Sequence, residues 1–167
     1  ILPSSRDCNA ITAQAFRGVV DSLSEFDFVF VDCPAGIEHG FHRAVSACEE
    51  ALVVTTPSAS AIRDADKVIS LLASYRLKDI SLVVNRVRAD MIARGEMLGA
   101  SEISSLLHVA AIGVIPDDDM ITLYQQLGTI PQHAISNRAY DVLAKNVAQN
   151  SKVFVDIAPK RRLRWLR

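Results

Sequence analysis

Residues 26–38, FDFVFVDCPAGIE, decide the fold class predicted for this chain. The apolar run 28–31, FVFV, is rich in β-branched and aromatic residues, which is typical of a strand buried on both faces of a parallel sheet. The predicted strand covers residues 26–32 and ends at the charged side chain of Asp32. Pro34 and Gly36 then predict a turn, because proline cannot donate to a sheet ladder and glycine lets the backbone pass close to a ligand.

The position of Asp32 gives the first functional hypothesis. A carboxylate at the carboxyl end of a buried strand, followed by a Pro-x-Gly turn, is typical of nucleotide hydrolases that hold the water shell of a magnesium ion. The alternative interpretation is an aspartate that caps the next helix. The residues alone leave both interpretations open.

Length and composition favour one domain with a sizeable core. The chain has 167 residues, half of them apolar, and a mean hydropathy of +0.20, which fits a sheet covered by helices on both faces. No apolar run reaches the roughly 18 residues of a membrane span. The odd number of cysteines, Cys8, Cys33 and Cys48, favours a reducing cytoplasm over a disulfide framework or a zinc site.

The charge is unevenly distributed along the chain. Of the 18 basic and 19 acidic residues, five basic ones lie in the last eight positions, KRRLRWLR, so the first 159 residues are acidic overall. A basic tail on an acidic body predicts an anionic partner, either a membrane or a nucleic acid. Leu163, Trp165 and Leu166 stand among the arginines and fit a short interfacial helix, although a frayed basic terminus remains an alternative.

Hydrophobic periodicity predicts alternating strands and helices, and hence an α/β fold with a mostly parallel sheet flanked by helices. Such crossovers are right-handed, so equivalent strand ends share one edge of the sheet, where ligands of open α/β sheets bind. The predicted strands are 26–32, 51–55, 82–84 and 110–115. The predicted helices are 9–24, 40–48, 61–75, 101–108, 119–127 and 136–149, the last with Ala139, Val142, Leu143 and Val147 facing inward.

Polar residues follow the end of each predicted strand: Asp32, Thr55-Thr56, Asn85-Arg86 and Pro116-Asp117. The amide of Asn85 offers a donor and an acceptor that match the edge of adenine, but a turn-forming asparagine is an equal alternative. Asp117, Asp118 and Asp119 are predicted to cap the following helix rather than to bind a cation. The printed sequence contains no G-x-x-x-x-G-K-[ST] phosphate loop.

Four segments carry a resemblance to a known family. VDCPAGIE at 31–38, TTPSASAIRDADKV at 55–68, RGEML at 94–98 and GVIPDD at 113–118 resemble the MinD branch of the MinD/ParA family of P-loop ATPases with a deviant Walker A motif. The resemblance runs from residue 1 to about residue 147. It implies a partial P-loop ATPase domain at 1–157, with the amino-terminal strand and P-loop missing, and a possible membrane-targeting segment at 158–167.

The resemblance also implies residue roles for ATP and magnesium. Asp32 would be the Walker B aspartate that holds magnesium through water, and Gly36 would lie in switch II near the γ-phosphate. Asn85 would contact adenine beside Arg86. The Pro116-Asp117 turn would line the base pocket.

The partners implied by the family are MinC and MinE, a second subunit and the membrane. Arg63, Asp64 and Asp66 would lie on the surface that receives MinC and MinE in the ATP-bound dimer; from composition alone, a solvated helix face is the simpler interpretation of the two aspartates. Leu163, Trp165 and Leu166 would bind the inner face of the cell membrane. The dimer would recruit MinC to inhibit FtsZ ring assembly, and MinE would stimulate hydrolysis.

Three alternatives to a septum-positioning ATPase stay open. They are a flagellar-number ATPase, a DNA-partitioning ATPase and a non-enzymatic α/β interaction module. The acidic body argues against DNA, whereas the tail allows it. Because the P-loop is missing from the printed sequence, we expect a fragment of a longer protein, and we expect this chain alone to hydrolyse no ATP.

Overall fold

The computed structural model describes residues 11–34, 36–129 and 134–152. The chain divides into two compact units. The first unit comprises Ile1–Ala51 and Ser70–Asp79, and the second comprises Leu52–Ile69 and Ile80–Arg167. The first two residues of the helix predicted at 9–24 lie outside the described residues. The whole predicted tail segment 158–167 also lies outside them.

The elements alternate between helix and strand, as the periodicity predicts. In chain order they are α1 (Ala13–Asp21), α2 (His39–Ser46), β1 (Glu50–Thr55), α3 (Ala59–Leu72), β2 (Asp79–Val87), α4 (Ala89–Ala93), α5 (Ala100–Leu107), β3 (Ala111–Pro116), α6 (Asp119–Gln126) and α7 (Asn137–Gln149). The predicted α/β class is confirmed.

The three strands form one sheet in the order β1-β2-β3. β2 and β3 run parallel, with Leu82 opposite Ala111 and Val87 opposite Pro116, and the register shifts between Val84 and Val87. The parallel arrangement brings the carboxyl ends of β2 and β3 to the same edge. β2 extends three residues beyond its predicted end at Val84, so Asn85 and Arg86 lie within the strand.

Helix α7 closes one side of the core in the second unit. Val83, Ile112, Ile115 and Ala139 form a buried cluster, and Leu143 and Val147 pack against it. The predicted inward face of α7 is therefore confirmed for Ala139, Leu143 and Val147. Gly113 permits the close approach of this helix, because a Cβ atom at that position would lie 2.8 Å from Leu143 Cδ1.

The face of α7 also carries a buried amide that the periodicity did not predict. Asn146 is almost fully buried, and its Nδ2 donates to the Ile112 carbonyl oxygen at 2.6 Å. Its Oδ1 accepts from the Ser151 hydroxyl at 2.7 Å. The amide thus joins the end of α7 to β3, since a buried amide needs hydrogen-bond partners.

The strand predicted at 26–32 is wrong for this structure. Residues 26–27 form a bend and residues 28–32 have no regular secondary structure, and among the described residues no strand pairs with them. Phe30 is 76% exposed, and its ring stacks on that of Phe28 with 6.3 Å between centroids. A strand here would need a neighbouring strand, because unpaired strand geometry is not stable in water.

The start of the chain also departs from prediction. The helix predicted at 9–24 is confirmed only for α1, whose N-cap is Thr12, with the Thr12 hydroxyl accepting from the Ala15 N–H at 3.1 Å. None of the residues of α1 is buried, and Val19 is 48% exposed. The four-residue apolar spacing predicts the helix correctly but does not guarantee a surface that covers it.

Candidate functional site

Four of the predicted nucleotide-binding residues meet at the carboxyl ends of β2 and β3, in the second unit. Arg86 Nε donates to Asp117 Oδ1 at 3.1 Å, and the Asp117 N–H donates to the Val87 carbonyl oxygen at 3.0 Å. Pro116 stands opposite Val87 in the sheet register. The parallel pairing of the two strands therefore brings Asn85-Arg86 beside Pro116-Asp117, as the shared-edge argument predicts.

Asn85 is half-buried at this edge. Its Oδ1 accepts the backbone N–H of Arg86 at 2.9 Å, which identifies the oxygen and the nitrogen of the amide. Among the described residues, no protein group accepts from its Nδ2. Arg86 has a φ of 58°, a left-handed backbone conformation that is unusual for a residue with a side chain.

The three aspartates after β3 have separate roles. Asp118 Oδ1 accepts the Met120 N–H at 3.0 Å and so caps α6, which confirms the capping prediction. Asp118 Oδ2 accepts from the Ser136 N–H at 3.0 Å and from the Ser136 hydroxyl at 2.9 Å. Burial raises the pKa of Asp118, but hydrogen bonds from Ser136, Met120 and Ile135 outweigh it and leave the pKa below its ordinary value.

Hydroxyl groups follow the end of β1. Thr55 is buried, and Thr56 Oγ1 lies 3.3 Å from Ser58 Oγ. Ser58 caps α3, since its Oγ accepts the Ala61 N–H at 3.3 Å and its carbonyl accepts the Ile62 N–H. α3 begins at Ala59, two residues earlier than predicted.

Asp32 and Gly36 belong to the first unit. Asp32 is exposed at the end of segment 26–32, and Gly36 has a φ of +89°, the conformation for which glycine is needed. Between them, Pro34 packs against α2, where a Cβ on Gly40 would lie 2.7 Å from Pro34 Cγ. Burial, and then the charge of Asp32, raises the pKa of the Cys33 thiol.

Asp32 presents a single exposed carboxylate at the end of segment 26–32. Within 11–34, 36–129 and 134–152, no group of three or more His, Cys, Asp or Glu side chains could hold a metal ion. Mg²⁺ keeps several waters and usually binds one or two carboxylates together with substrate phosphates. An exposed single carboxylate therefore has the donor chemistry that this role requires.

The predicted partner surface lies on α3. Ile62 and Ala65 are buried, whereas Arg63, Asp64 and Asp66 are exposed. Asp64 pairs with Lys67 at 3.2 Å, and Arg63 Nε donates to the Ala59 carbonyl at 3.2 Å. The helix thus shows a mixed-charge face to solvent, as expected for these three residues.

An ion-pair chain near the end of β2 was not predicted. Arg88 pairs with Asp90 at 3.0 Å, Asp90 with Arg94 at 3.2 Å, and Arg94 with Glu96 at 2.9 Å. Hydrogen bonds from Arg88 hold the pKa of Asp90 below its ordinary value. The signal was available, because Asp90 and Arg94 have the i, i+4 spacing of a helix pair.

The membrane prediction rests on Leu163, Trp165 and Leu166, which lie outside the described residues. Among the residues that the structure describes, no helix is long and apolar enough to cross a bilayer.

Comparison with known proteins points in one direction. The chain is 44% identical over 131 residues to the septum site-determining protein MinD of Synechocystis, an alignment that covers 77% of this chain and 49% of that protein. The chain spans about half the length of the curated relatives it matches. No protein-family model matches.

Solved structures show the same similarity. The MinD cell division protein of Aquifex aeolicus has a TM-score of 0.82 and 31% identity, covering 92% of this chain and 66% of that one. A chain of the MinC:MinD cell division protein complex of Aquifex aeolicus has a TM-score of 0.78 and 30% identity. The match covers 89% of this chain and 64% of that one. Pyrococcus horikoshii MinD complexed with Mg-ADP has a TM-score of 0.69 and 27% identity. The match covers 81% of this chain and 56% of that one.

Proposed function

This chain belongs to the MinD family of septum site-determining proteins, and we propose that it works as part of an ATP-driven switch that positions cell division. The observation that carries the proposal is the meeting of Asn85-Arg86 and Pro116-Asp117 at adjacent strand ends. This edge is where open α/β sheets bind nucleotides, and a solved relative is complexed with Mg-ADP.

In the proposed base site, Asn85 contacts adenine. Its half-buried amide has a free Nδ2 among the described contacts, and its Oδ1 keeps a second lone pair after accepting from Arg86. Arg86 joins this amide to Asp117, since its N–H donates to Asn85 and its guanidinium pairs with Asp117. A donor beside an acceptor is the pattern that matches an adenine edge.

In the proposed magnesium role, Asp32 accepts hydrogen bonds from water in the ion's shell. When bound, magnesium would neutralise charge on the phosphates of ATP. Gly36 would give the backbone the left-handed turn needed for a close approach to the γ-phosphate. The exposure of Asp32 supports this role, since a water-mediated ligand needs room for the water.

The proposed output is recruitment of MinC, which in turn would inhibit FtsZ ring assembly. A solved relative is in a MinC:MinD complex, and the exposed charges of Arg63, Asp64 and Asp66 on α3 suit a polar partner. ATP-driven dimerisation and release by MinE would complete the cycle. Paired tails carrying Leu163, Trp165 and Leu166 would hold the dimer on the membrane, because two weak anchors bind far better than one.

The enzymatic part is tested on the native polypeptide purified from its source cells, with its intact mass measured. Magnesium-dependent ATP hydrolysis should fall at least tenfold in Asp32→Asn, whereas the control Asp27→Asn, an exposed aspartate of the same segment, should keep it. If the native protein hydrolyses no ATP, the proposed ATPase activity is overturned and a non-enzymatic interaction module is favoured.

The partner assignment is tested with the same polypeptide. Arg63→Ala combined with Asp66→Asn should weaken MinC binding in the presence of ATP, while Asp141→Asn, an exposed change on α7, should not. Unchanged MinC binding by the double variant would contradict the α3 surface. Salt-sensitive binding to DNA of any sequence, without MinC binding, would instead indicate a DNA-partitioning ATPase.

A further inference from the structure

The amide of Asn85 has a fixed orientation. Because the Arg86 N–H donates to Oδ1 at 2.9 Å, a flipped amide would set two donors against each other at that contact. The orientation leaves Oδ1 with one further lone pair and Nδ2 with its donors. The positions of the Asn85 donor and acceptor toward a bound base therefore depend on the direction of the Arg86 backbone N–H.

The backbone of Arg86 is itself held in an uncommon conformation. Its φ of 58° is disfavoured for a residue with a Cβ atom, so the surroundings must maintain it. Two features do so. The β2–β3 register shifts between Val84 and Val87, and the guanidinium pairs with Asp117 across the two strands at 3.1 Å.

Asp117 is anchored at the same time. Its N–H donates to the Val87 carbonyl oxygen at 3.0 Å, so its carboxylate has a defined position beside the end of β2. The contact runs from Asp117 to Arg86 through the ion pair, and from Arg86 to Asn85 through the backbone N–H. These three residues form a short chain of contacts in the second unit.

We propose that Arg86 and Asp117 are positioning residues that set the choice of adenine over guanine by orienting the Asn85 amide. This inference rests on the proposed nucleotide function. The held amide offers an acceptor next to a donor, which pairs with the N6 donor and N7 acceptor of adenine. Guanine presents two acceptors at the equivalent edge, so one would oppose Oδ1.

Loss of the ion pair should relax Arg86 and free the amide to turn. A turned amide would set its donor against the N6 donor of adenine and its oxygen against N7, so adenine would lose both hydrogen bonds. Guanine would keep one hydrogen bond in either orientation, so discrimination would fall because adenine binds more weakly. Glycine at position 86 should behave differently from alanine, because glycine adopts positive φ without strain and keeps the N–H in place. The two substitutions thus separate a backbone role from direct contact by the guanidinium.

The experiment measures displacement of a fluorescent ADP from the native polypeptide by ADP and by GDP. The ratio of the two affinities should fall about twofold to fivefold in Asp117→Asn and in Arg86→Ala, the range expected for losing an exposed ion pair. Arg86→Gly should retain most of the ratio. Lys78→Ala, which removes the exposed ion pair with Glu49, is the matched control and should leave the ratio unchanged.

The possible results separate this inference from the proposed function. Wild-type protein that binds no ADP would overturn both. Wild-type protein that binds ADP, with an unchanged ratio in Asp117→Asn and Arg86→Ala, would overturn the positioning role alone. An equal loss in Arg86→Gly and Arg86→Ala would also overturn it, in favour of direct contact. Thermal unfolding of each variant checks its fold, and the near-isosteric Asp117→Asn keeps the test decisive where Arg86→Ala fails to fold.

Discussion

Asp118 accepts two hydrogen bonds from Ser136 on the same carboxylate oxygen, one from the backbone N–H at 3.0 Å and one from the hydroxyl at 2.9 Å. Its other oxygen caps α6 through the Met120 N–H. Ser136 is fully buried and directly precedes α7. One carboxylate therefore joins the first turn of α6 to the start of α7, and with it the helix that covers the core.

Asp118→Asn should lower the free energy of unfolding by about 1–3 kcal/mol at pH 7, because asparagine keeps only one acceptor oxygen and sets its NH2 group against the N–H of either Met120 or Ser136. The folded-state pKa of Asp118 lies below the unfolded value of about 3.9. Its stabilisation is therefore present above about pH 4 and is lost as the pH falls through the folded-state pKa. Urea unfolding of both proteins from pH 7 to pH 3 measures the difference.

The matched control for this change is Asp141→Asn, an exposed aspartate on α7. It should alter stability by less than about 0.5 kcal/mol at pH 7, as is usual for surface substitutions. A difference between wild type and Asp118→Asn that stays constant down to pH 3 would contradict the role of the ionised carboxylate.

Gly113→Ala should destabilise the second unit, because the new Cβ would lie 2.8 Å from Leu143 Cδ1 and 3.3 Å from Val83 Cγ2. The end of the Leu143 side chain can shift, so we expect a loss of about 1 kcal/mol, and more for Gly113→Val. Chemical denaturation measures both. In a Leu143→Ala background the loss from Gly113→Ala should shrink, and full additivity of the two changes would contradict the steric explanation.

Local signals predicted much of this fold, and tertiary context explains what they missed. The inward face of α7, the cap of α6 at Asp118 and the parallel strands follow from periodicity and turn chemistry. The burial of Asn146 did not follow from the sequence pattern, because a polar amide in a helix is expected at the surface. Its burial depends on a hydrogen bond to the Ile112 carbonyl, which is distant in the chain. Strand pairing is equally non-local, which is why residues 26–32 were misassigned.

In the candidate site, too, some features were predictable from the sequence and others were not. Shared strand ends predicted that Asn85 and Asp117 would lie near one edge, since topology alone requires it. The left-handed backbone of Arg86 and its ion pair with Asp117 were not predictable, because neither follows from the local preference of an arginine.

The exposure of Phe30 gives a test of the misassigned strand. In the 167-residue chain, Phe30→Ser should change the free energy of unfolding by less than about 1 kcal/mol, because a side chain that is 76% exposed loses little burial. Phe41→Ser, at a buried position on α2, should lower the free energy of unfolding by about 3 kcal/mol or more. A comparably large loss at Phe30 would indicate that residues 26–32 form a buried strand after all. Solubility should rise in Phe30→Ser, since exposed apolar segments promote association.

Gly40→Ala should impair ATP hydrolysis by the native polypeptide more than it impairs stability. The added Cβ would lie 2.7 Å from Cγ of the rigid Pro34 ring, two residues after Asp32. The segment must move, and a displacement of about 1 Å at a catalytic group can lower a rate up to about 100-fold. Gly18→Ala on α1, with no atom within 4 Å of the added Cβ, is the control and should keep full activity. Equal activity of both variants would show that contact between Pro34 and α2 does not position Asp32.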